Sequence, residues 1–245
     1  MDLTLKDKVK GAYDELSKNL PNWAYKYDIG YQLYKMLCDY RLLGKIDLRN
    51  KRVLNIGCYE PIDETYWVHL VGEWHALDIN ERVIRTARRM VEEVLPSRLL
   101  SKLSFIVGDA TALPIQSGSY DVVVAFSTID HIPGREERAK AIREISRVLK
   151  QGGVFVITVP NRWDLYYSYR SNKAQREGKA PFGYEYQFSP LELRKMLIAE
   201  GFRIVDCAST SFNPHSYFDR FLRRLGLARL KIYFGTRFGY LAQKK

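Results

Sequence analysis

Residues 51–61 read KRVLNIGCYEP, and this stretch decides the fold class. After a basic start, residues 53–56 form a short apolar run that ends at Gly57. A short apolar run that stops at a glycine is typical of a strand buried on both faces of a sheet. We therefore predict that the first strand of a buried sheet ends at Gly57.

Further apolar runs rich in valine and isoleucine follow, with helical segments between them. This alternation predicts a parallel sheet that is buried on both faces, and the right-handed crossover rule makes it doubly wound. The expected fold class is therefore α/β, with a doubly wound, seven-stranded, mostly parallel sheet. The later predicted strands cover residues 75–79, 103–107, 121–126, 154–159, 203–208 and a closing strand in 233–242, and the predicted helices cover 81–93, 135–149 with a stop at Gly152–Gly153, and 190–200.

One α/β domain with additions is expected, because 245 residues are few for two independent domains. Residues 1–50 have apolar side chains at steps of three and four and are predicted to form a helical N-terminal cap. Residues 51–245 form the α/β domain. It carries an aromatic and basic insertion at about 162–188, called the 162–188 insertion below, and a basic amphipathic segment at about 216–231.

The 162–188 insertion has two interpretations. It either covers the substrate as a lid, with aromatic side chains inside and basic ones outside, or packs its aromatics against the sheet edge. The N-terminal aromatics Trp23, Tyr27 and Tyr31 either close the other side of the substrate or pack in the core.

The opening residues and the cysteines indicate a cytoplasmic location. Residues 1–6 lack the apolar region of a secretory signal, and no apolar run approaches the roughly 18 residues that span a bilayer. Cys38, Cys58 and Cys207 are far apart and form no CxxC pair. This spacing argues against a disulfide framework and against a cysteine-rich zinc site.

The charge balance favours partners that carry negative charge. The chain has 39 basic and 28 acidic residues, which gives a formal net charge of +11. Such an excess attracts nucleic acid, anionic lipid or acidic small molecules, and charge alone does not choose among them.

Two aspartates follow strands at the edge where a ligand is expected. An open parallel sheet binds ligands beyond the carboxyl ends of its strands, where the strand order reverses. Asp78 ends the second predicted strand and suits a ribose diol; the alternative is a helix N-cap or a solvated strand end. Asp109 follows the third strand and suits an exocyclic amine such as adenine N6; the alternative is a turn aspartate.

Five blocks occur in a fixed order along the chain: Val53–Cys58, Ala76–Ile79, Val107–Pro114, Tyr120–Val124 and Leu149–Gly153. Each block is weak alone. Together, over about residues 50–208 and the closing strand, they resemble the class I S-adenosylmethionine-dependent methyltransferases. The likeness is greatest to small-molecule enzymes of the ubiquinone/menaquinone biosynthesis type.

The resemblance implies S-adenosylmethionine as the cofactor. In this family the methionine part lies on the loop after the first strand. The ribose lies on the acid after the second strand, and the adenine lies near the acid after the third. The cofactor-binding residues implied for this sequence are Asn55, Gly57, Cys58, Asp78, Ile79, Asp109, Ala110, Phe126 and Ser127.

The first loop departs from the family pattern, which usually reads Asp/Glu-x-Gly-x-Gly-x-Gly. Asn55 replaces the acid, and Tyr59 and Pro61 replace two glycines. The Cβ of Tyr59 restricts positive φ and the close approach of the backbone to a ligand. The alternative to an enzyme is therefore a protein that keeps the fold for binding or regulation without transfer activity.

His131 is the candidate general base, and Asp130 is a second candidate. Methyl transfer from a sulfonium depends mainly on alignment, and a base is needed only where the acceptor must lose a proton. The alternative is a histidine that packs its loop or caps the next helix. The other histidines, His69, His75 and His215, are scattered, so no metal site is expected.

The expected acceptor is a small molecule, and the sequence leaves its identity, the target atom and the oligomeric state open. An RNA acceptor ranks lower, because residues 125–128 lack the Asn/Asp-Pro-Pro-aromatic motif of base-amine methyltransferases. The 216–231 segment either lies on an anionic membrane surface or packs on the sheet. A nicotinamide dehydrogenase would use Asp78, but the glycine fingerprint is absent.

Overall fold

The computed structural model describes residues 4–17, 35–210, 224–225, 232–233 and 235–245. Seven strands of the described residues form one sheet, which confirms the expected fold class. The strands are β1 (Arg52–Ile56), β2 (Glu73–Asp78), β3 (Leu103–Val107), β4 (Tyr120–Phe126), β5 (Leu149–Pro160), β6 (Phe202–Ser209) and β7 (Arg237–Lys244). Their order across the sheet is β3-β2-β1-β4-β5-β7-β6, and β7 runs antiparallel to both of its neighbours.

Helices connect the strands and cover both faces of the sheet. The described helices are α1 (Leu5–Ser17), α2 (Tyr40–Leu43), α3 (Ile62–Trp67), α4 (Glu81–Val94), α5 (Ser97–Leu100), α6 (Arg135–Val148), α7 (Leu165–Arg176) and α8 (Pro190–Ala199). Short helical turns lie at Lys35–Asp39, Val68–Leu70 and Ile129–His131. No helix among these residues is long and apolar enough to cross a membrane.

The central strands divide the core into two layers because successive side chains of a strand point to opposite faces. Val123 and Ile157 pack with the α6 side chain Ile145 on one face of the sheet. Val122 and Val156 face the other side, in a cluster that includes residues of α2 and the buried Trp74. The valine and isoleucine runs seen in the sequence therefore serve strands that are buried on both faces.

Two predicted element boundaries are wrong. The helix expected to run to Leu149 ends at Val148, and β5 begins at Leu149, which pairs with Tyr120. Gly152 and Gly153 consequently lie inside the strand and do not stop the helix. Gly152 has a φ of +74°, and a Cβ on Gly153 would come within 2.9 Å of the Lys150 carbonyl oxygen. The glycines thus permit the irregular start of β5.

Several predictions fall partly outside the described residues. These include the aromatics Trp23, Tyr27 and Tyr31 and nearly all of the 216–231 segment. The closing strand begins at Arg237, later than its predicted start at Tyr233. The three cysteines are free, and Cys38 and Cys58 are buried.

Candidate functional site

A cavity of about 410 Å³ opens at the carboxyl ends of β1, β2 and β4. The strand order reverses between β1 and β4, so this is the edge where an open α/β sheet binds ligands. Helix α1 and the 162–188 insertion also contribute to its walls. The predicted residues that line the cavity are Gly57, Cys58, Asp78, Ile79, Ala110, Phe126, Ser127 and His131.

The loop after β1 begins with a close backbone approach at Gly57. Its φ is +73°, and a Cβ there would lie 2.3 Å from Cγ2 of Thr128. The Thr128 hydroxyl in turn donates a 2.9 Å hydrogen bond to the Ile56 carbonyl oxygen. The loop after β4 therefore packs directly on the loop after β1, and only glycine fits at this contact.

Tyr59 adopts the left-handed backbone conformation that the family pattern assigns to glycine. Its φ is +41°. The Tyr59 N–H donates to Oδ2 of Asp78 at 3.3 Å, and its ring packs edge-on against Tyr13 of α1 with centroids 5.3 Å apart. Tyr59 therefore lines the cavity in a left-handed backbone conformation, at a cost in backbone strain.

Asp78 ends β2 with its carboxylate at the cavity wall. Oδ1 accepts a 2.9 Å hydrogen bond from the backbone N–H of Asn80. Burial raises the pKa of Asp78 to about 6, although the N–H groups of Asn80 and Tyr59 oppose the shift. The N-cap of α4 is Asn80, whose side chain accepts from Arg82 and Val83. The helix-cap interpretation of Asp78 is therefore excluded.

Asp109 lies beside the cavity but does not line it, whereas its neighbour Ala110 does. One oxygen of Asp109 accepts from the backbone and hydroxyl of Thr111, at 2.9 and 2.8 Å. The other accepts from the ammonium group of Lys6 on α1. Burial alone would raise the pKa of Asp109, but these hydrogen bonds outweigh it and hold the pKa below its usual value.

Asn55 points beneath the floor of the cavity. Its amide donates a 2.7 Å hydrogen bond to Oε1 of Glu64, which also accepts from the indole of Trp74 at 3.0 Å. Burial, together with the neighbouring Asp63, raises the pKa of Glu64 to about 7. The structure thus does not bring the Asn55 side chain to the cavity.

His131 and Asp130 lie in the helical turn after β4, and His131 lines the cavity. His131 Nδ1 is 2.7 Å from the carbonyl oxygen of Tyr184, and Nε2 is 3.4 Å from Oδ2 of Asp130. Asp130 is fully buried and does not line the cavity, and burial raises the pKa of its carboxyl to about 6. His131 both contacts the Tyr184 carbonyl and faces the cavity, and its role as a general base stays a prediction.

Comparison with known proteins identifies the family. Residues 54–157, from β1 into β5, match the family model described as a methyltransferase domain. Ajmaline N-methyltransferase from Rauvolfia serpentina is 39% identical over 188 residues, which cover 70% of this chain and 61% of that protein. Residues 54–157 therefore belong to the methyltransferase domain family, and the fold and the similarity to known methyltransferases agree with the resemblance to class I S-adenosylmethionine-dependent enzymes.

Two further comparisons concern shorter and more distant likenesses. The mouse tRNA (carboxymethyluridine(34)-5-O)-methyltransferase is 34% identical over 70 residues, or 29% of this chain and 10% of that protein. The chain thus spans less than two thirds of either curated relative. Magnesium protoporphyrin IX methyltransferase from Synechocystis PCC 6803, solved with bound S-adenosylhomocysteine, superposes with a TM-score of 0.71. It is 16% identical, with 99% of this chain and 100% of that chain covered.

Sequence reasoning missed the part that α1 plays in this methyltransferase-family site. Lys6, Lys10 and Tyr13 of α1 line the cavity, and Asp14 of the same helix accepts a 2.8 Å hydrogen bond from the Asn80 side chain. For the N-terminal cap, the sequence drew attention only to the later aromatics Trp23, Tyr27 and Tyr31, which were expected either to close the substrate site or to pack in the core. Tyr13 lies in the predicted N-terminal cap, but no motif around it in the sequence marks it as a residue of the cavity.

The 162–188 insertion divides its aromatic side chains between the cavity and solvent. Tyr167 and Phe182 line the cavity together with Glu185. Tyr166 and Tyr169 are instead exposed, with 72% and 61% of their surfaces accessible. The interpretation that the aromatics of this insertion lie inside is therefore wrong for the outer face of α7, because one face of a surface helix points to solvent.

Proposed function

We propose that this chain transfers a methyl group from S-adenosylmethionine to a small-molecule acceptor. One observation carries the proposal: Gly57, Asp78 and Ala110, which follow three different strands, line a single cavity at the point where the strand order reverses. Asp78 would accept from the ribose hydroxyls, and the adenine would lie by Ile79 and Ala110.

The methionine part and the reactive methyl would occupy the centre of the cavity. Gly57 and Cys58 would hold the methionine part, bordered by Phe126 and Ser127. Adenine N6 would donate to Asp109 and share that carboxylate with Lys6. Asn55 would act through Glu64 beneath the floor, since its side chain does not reach the cavity.

The enclosure of the cavity supports transfer chemistry. Tyr13 of α1 stacks on Phe182 of the 162–188 insertion with ring centroids 5.4 Å apart, and the His131 ring lies 5.7 Å from Tyr13. These contacts would limit water and align the acceptor with the methyl, which is the main demand of an in-line displacement. His131, or the buried Asp130 behind it, would take the acceptor proton where one must leave.

The activities for which two relatives are named support a small acceptor. Ajmaline N-methyltransferase and a phthiotriol/phenolphthiotriol dimycocerosates methyltransferase of Mycobacterium ulcerans, 28% identical over 149 residues, act on molecules other than protein or nucleic acid. The finer likeness to ubiquinone/menaquinone enzymes stays a prediction. So does contact of the 216–231 segment with an anionic membrane.

Calorimetry with S-adenosylhomocysteine tests the cofactor site. We expect one site per chain with micromolar affinity and a loss of about tenfold or more in Asp78→Asn, because hydrogen bonds to a charged group contribute about 1.5–3 kcal/mol. The matched control is Asp47→Asn, an exposed carboxylate that pairs only with nearby Arg49. Absence of binding by the unaltered chain would reject the proposal.

A fold that binds the cofactor without transferring it is the nearest rival, motivated by Tyr59 and Pro61. Incubation of the protein and methyl-labelled S-adenosylmethionine with a small-molecule extract separates the two. Label in the extracted molecules supports the enzyme, and cofactor binding with no labelled product under matched conditions supports the scaffold.

RNA is the second acceptor class, favoured by the likeness to a tRNA methyltransferase and by the formal net charge of +11. Lys6 and Lys10 at the cavity mouth suit a phosphate backbone. A gel-shift assay with total tRNA at rising salt tests this alternative. Binding that weakens steeply with salt, together with label transfer to tRNA, would replace the small-molecule proposal.

A further inference from the structure

Three side chains lie close together at the cavity wall and just behind it. Ligand atoms of Asp130, His131 and Glu185 all lie within 4.8 Å of one another, although Glu185 is far from the other two in sequence. We propose that these three residues bind a divalent cation that contacts the methyl acceptor. This inference rests on the proposed function, which places S-adenosylmethionine and its methyl acceptor in the neighbouring cavity.

His131 presents a lone pair to this cluster. A carbonyl oxygen only accepts hydrogen bonds, so the 2.7 Å contact between Nδ1 and the Tyr184 carbonyl requires the proton on Nδ1. In the neutral ring, Nε2 then faces Oδ2 of Asp130 at 3.4 Å with no hydrogen between them. Metal-binding histidines are usually held in this way, with the other ring N–H on a carbonyl or carboxylate.

Asp130 lacks the partners that a buried carboxylate needs. Its side chain is fully buried, and within the described part of the chain neither oxygen has a hydrogen-bond partner. A buried, unpaired charge is costly in free energy, and a bound cation offsets that cost. Arg237 lies near enough to contribute one positive charge, but Glu185 adds a second negative charge. A divalent cation bound among the three side chains would offset the charges of the two carboxylates.

Glu185 is held in position before any ligand arrives. The Tyr167 hydroxyl lies 3.0 and 2.8 Å from its two carboxylate oxygens, and the Ser171 hydroxyl donates to Oε1 at 2.9 Å. The backbone on either side is also fixed. The Tyr184 carbonyl accepts from His131, and the Tyr186 N–H donates to the Asp130 carbonyl at 2.8 Å. Such outer hydrogen bonds are the usual support of carboxylate ligands.

The spacing and the donor set indicate the class of cation. Two ligand atoms that are each about 2.1 Å from a tetrahedral ion lie roughly 3.4 Å apart. The distance of 3.4 Å between His131 Nε2 and Asp130 Oδ2 agrees with this value. One imidazole with two carboxylates suits Mn²⁺ or Zn²⁺ better than Ca²⁺. His131 and Glu185 also line the cavity, so the open position of the ion would face the acceptor and polarise its oxygen or nitrogen.

Titration of the chelator-treated 245-residue chain with Mn²⁺ tests the site, by calorimetry and by the electron paramagnetic resonance signal of the ion. Mn²⁺ is preferred as the probe because the free cysteines bind Zn²⁺. We expect one site per chain. We also expect affinity at least about tenfold weaker in Glu185→Gln and in Asp130→Asn. The control Glu92→Gln, an exposed carboxylate on α4, should leave Mn²⁺ binding unchanged.

Binding of S-adenosylhomocysteine, measured on the same proteins, separates the two proposals. If the chain and its Glu185→Gln variant bind S-adenosylhomocysteine but the chain binds no Mn²⁺, the cation site is rejected and the proposed function stands. Mn²⁺ binding that Glu185→Gln leaves intact also rejects the site. Mn²⁺ binding at the three residues without any binding of S-adenosylhomocysteine keeps the site and rejects the proposed function.

Discussion

The backbone N–H of Tyr59 donates a 3.3 Å hydrogen bond to Oδ2 of Asp78. This contact joins the loop after β1 to the acid that ends β2, the two elements on which a bound nucleoside would rest. Tyr59 has a φ of +41° where it makes this contact. A residue with a Cβ thus performs the turn that glycine performs in the family pattern, and it does so under strain.

Replacing Tyr59 by glycine and by alanine should separate this strain from the loss of the ring. Both variants lose the contact with Tyr13, but only alanine keeps the Cβ that opposes a positive φ. We expect Tyr59→Gly to be more stable than Tyr59→Ala by about 1 kcal/mol, a difference in melting temperature of roughly 2–4 °C. Thermal unfolding of the two variants is the measurement. If alanine proves the more stable, the loop does not hold a positive φ in solution.

The affinity for S-adenosylhomocysteine should fall in acid because Asp78 must be ionised to accept from a ribose. Burial raises its pKa from 3.8 to about 6. One pH unit below that pKa, about one molecule in eleven is ionised, so affinity at pH 5 should be about tenfold lower than its plateau above pH 7. Calorimetry between pH 5 and 8 measures this. Asp78→Asn should bind more weakly and lose this pH dependence, and an equal slope in both proteins would assign the titration to another group.

The same pKa has the opposite effect on the stability of the free protein. The folded pKa lies above the unfolded value, so the folded state takes up a proton between about pH 6 and 4 while the unfolded state does not. The cost of burying the ionised Asp78 is therefore present above about pH 6 and is relieved as the pH falls toward 4. Protonation of Asp78 in acid thus stabilises the ligand-free fold and weakens the binding of the ligand.

The strand ends were predictable from sequence because they depend on local signals. Gly57, Asp78 and Ala110 follow apolar runs, and the carboxyl ends of parallel strands must meet at one edge. Asn55 was assigned to the site by the family pattern alone. Its side chain turns to Glu64 because the interior of β1 must satisfy a buried amide, and no local signal reveals that partner.

The contributions of α1 and Glu185 depend on contacts between residues that are far apart in sequence. Lys6 reaches Asp109, and Glu185 reaches the turn after β4 through backbone hydrogen bonds of its neighbours. Periodicity predicts that such segments are helical or irregular but not where they dock. The cluster of Asp130, His131 and Glu185 therefore could not be predicted from the spacing of histidines in the sequence.

Gly57→Ala should disrupt the cavity floor more than the same change at another positive-φ glycine. Gly57 and Gly118 have φ values of +73° and +67°. A Cβ at Gly57 would lie 2.3 Å from Thr128, but one at Gly118 would meet nothing within 4 Å. We expect Gly118→Ala to cost about 1 kcal/mol of unfolding free energy from backbone strain, and Gly57→Ala about 3 kcal/mol because overlap adds to it. Denaturant unfolding measures the loss of stability in each variant. Equal losses would mean that the loop after β1 does not contact Thr128 in the loop after β4.

His131→Ala should abolish turnover without weakening the binding of the cofactor. The ring lies against Tyr13 and Phe182, whereas the Asp78 carboxylate accepts from Tyr59 and Asn80. Loss of a positioned base typically lowers the rate by about 10²–10⁴-fold. If His131 instead binds a cation, its loss would remove the polarisation of the acceptor that the cation supplies. Label transfer from S-adenosylmethionine measures the rate, and calorimetry with S-adenosylhomocysteine should give an affinity within about twofold of the unaltered chain. The control is His69→Ala, outside the cavity. A variant that retains the full transfer rate would show that His131 only packs its loop.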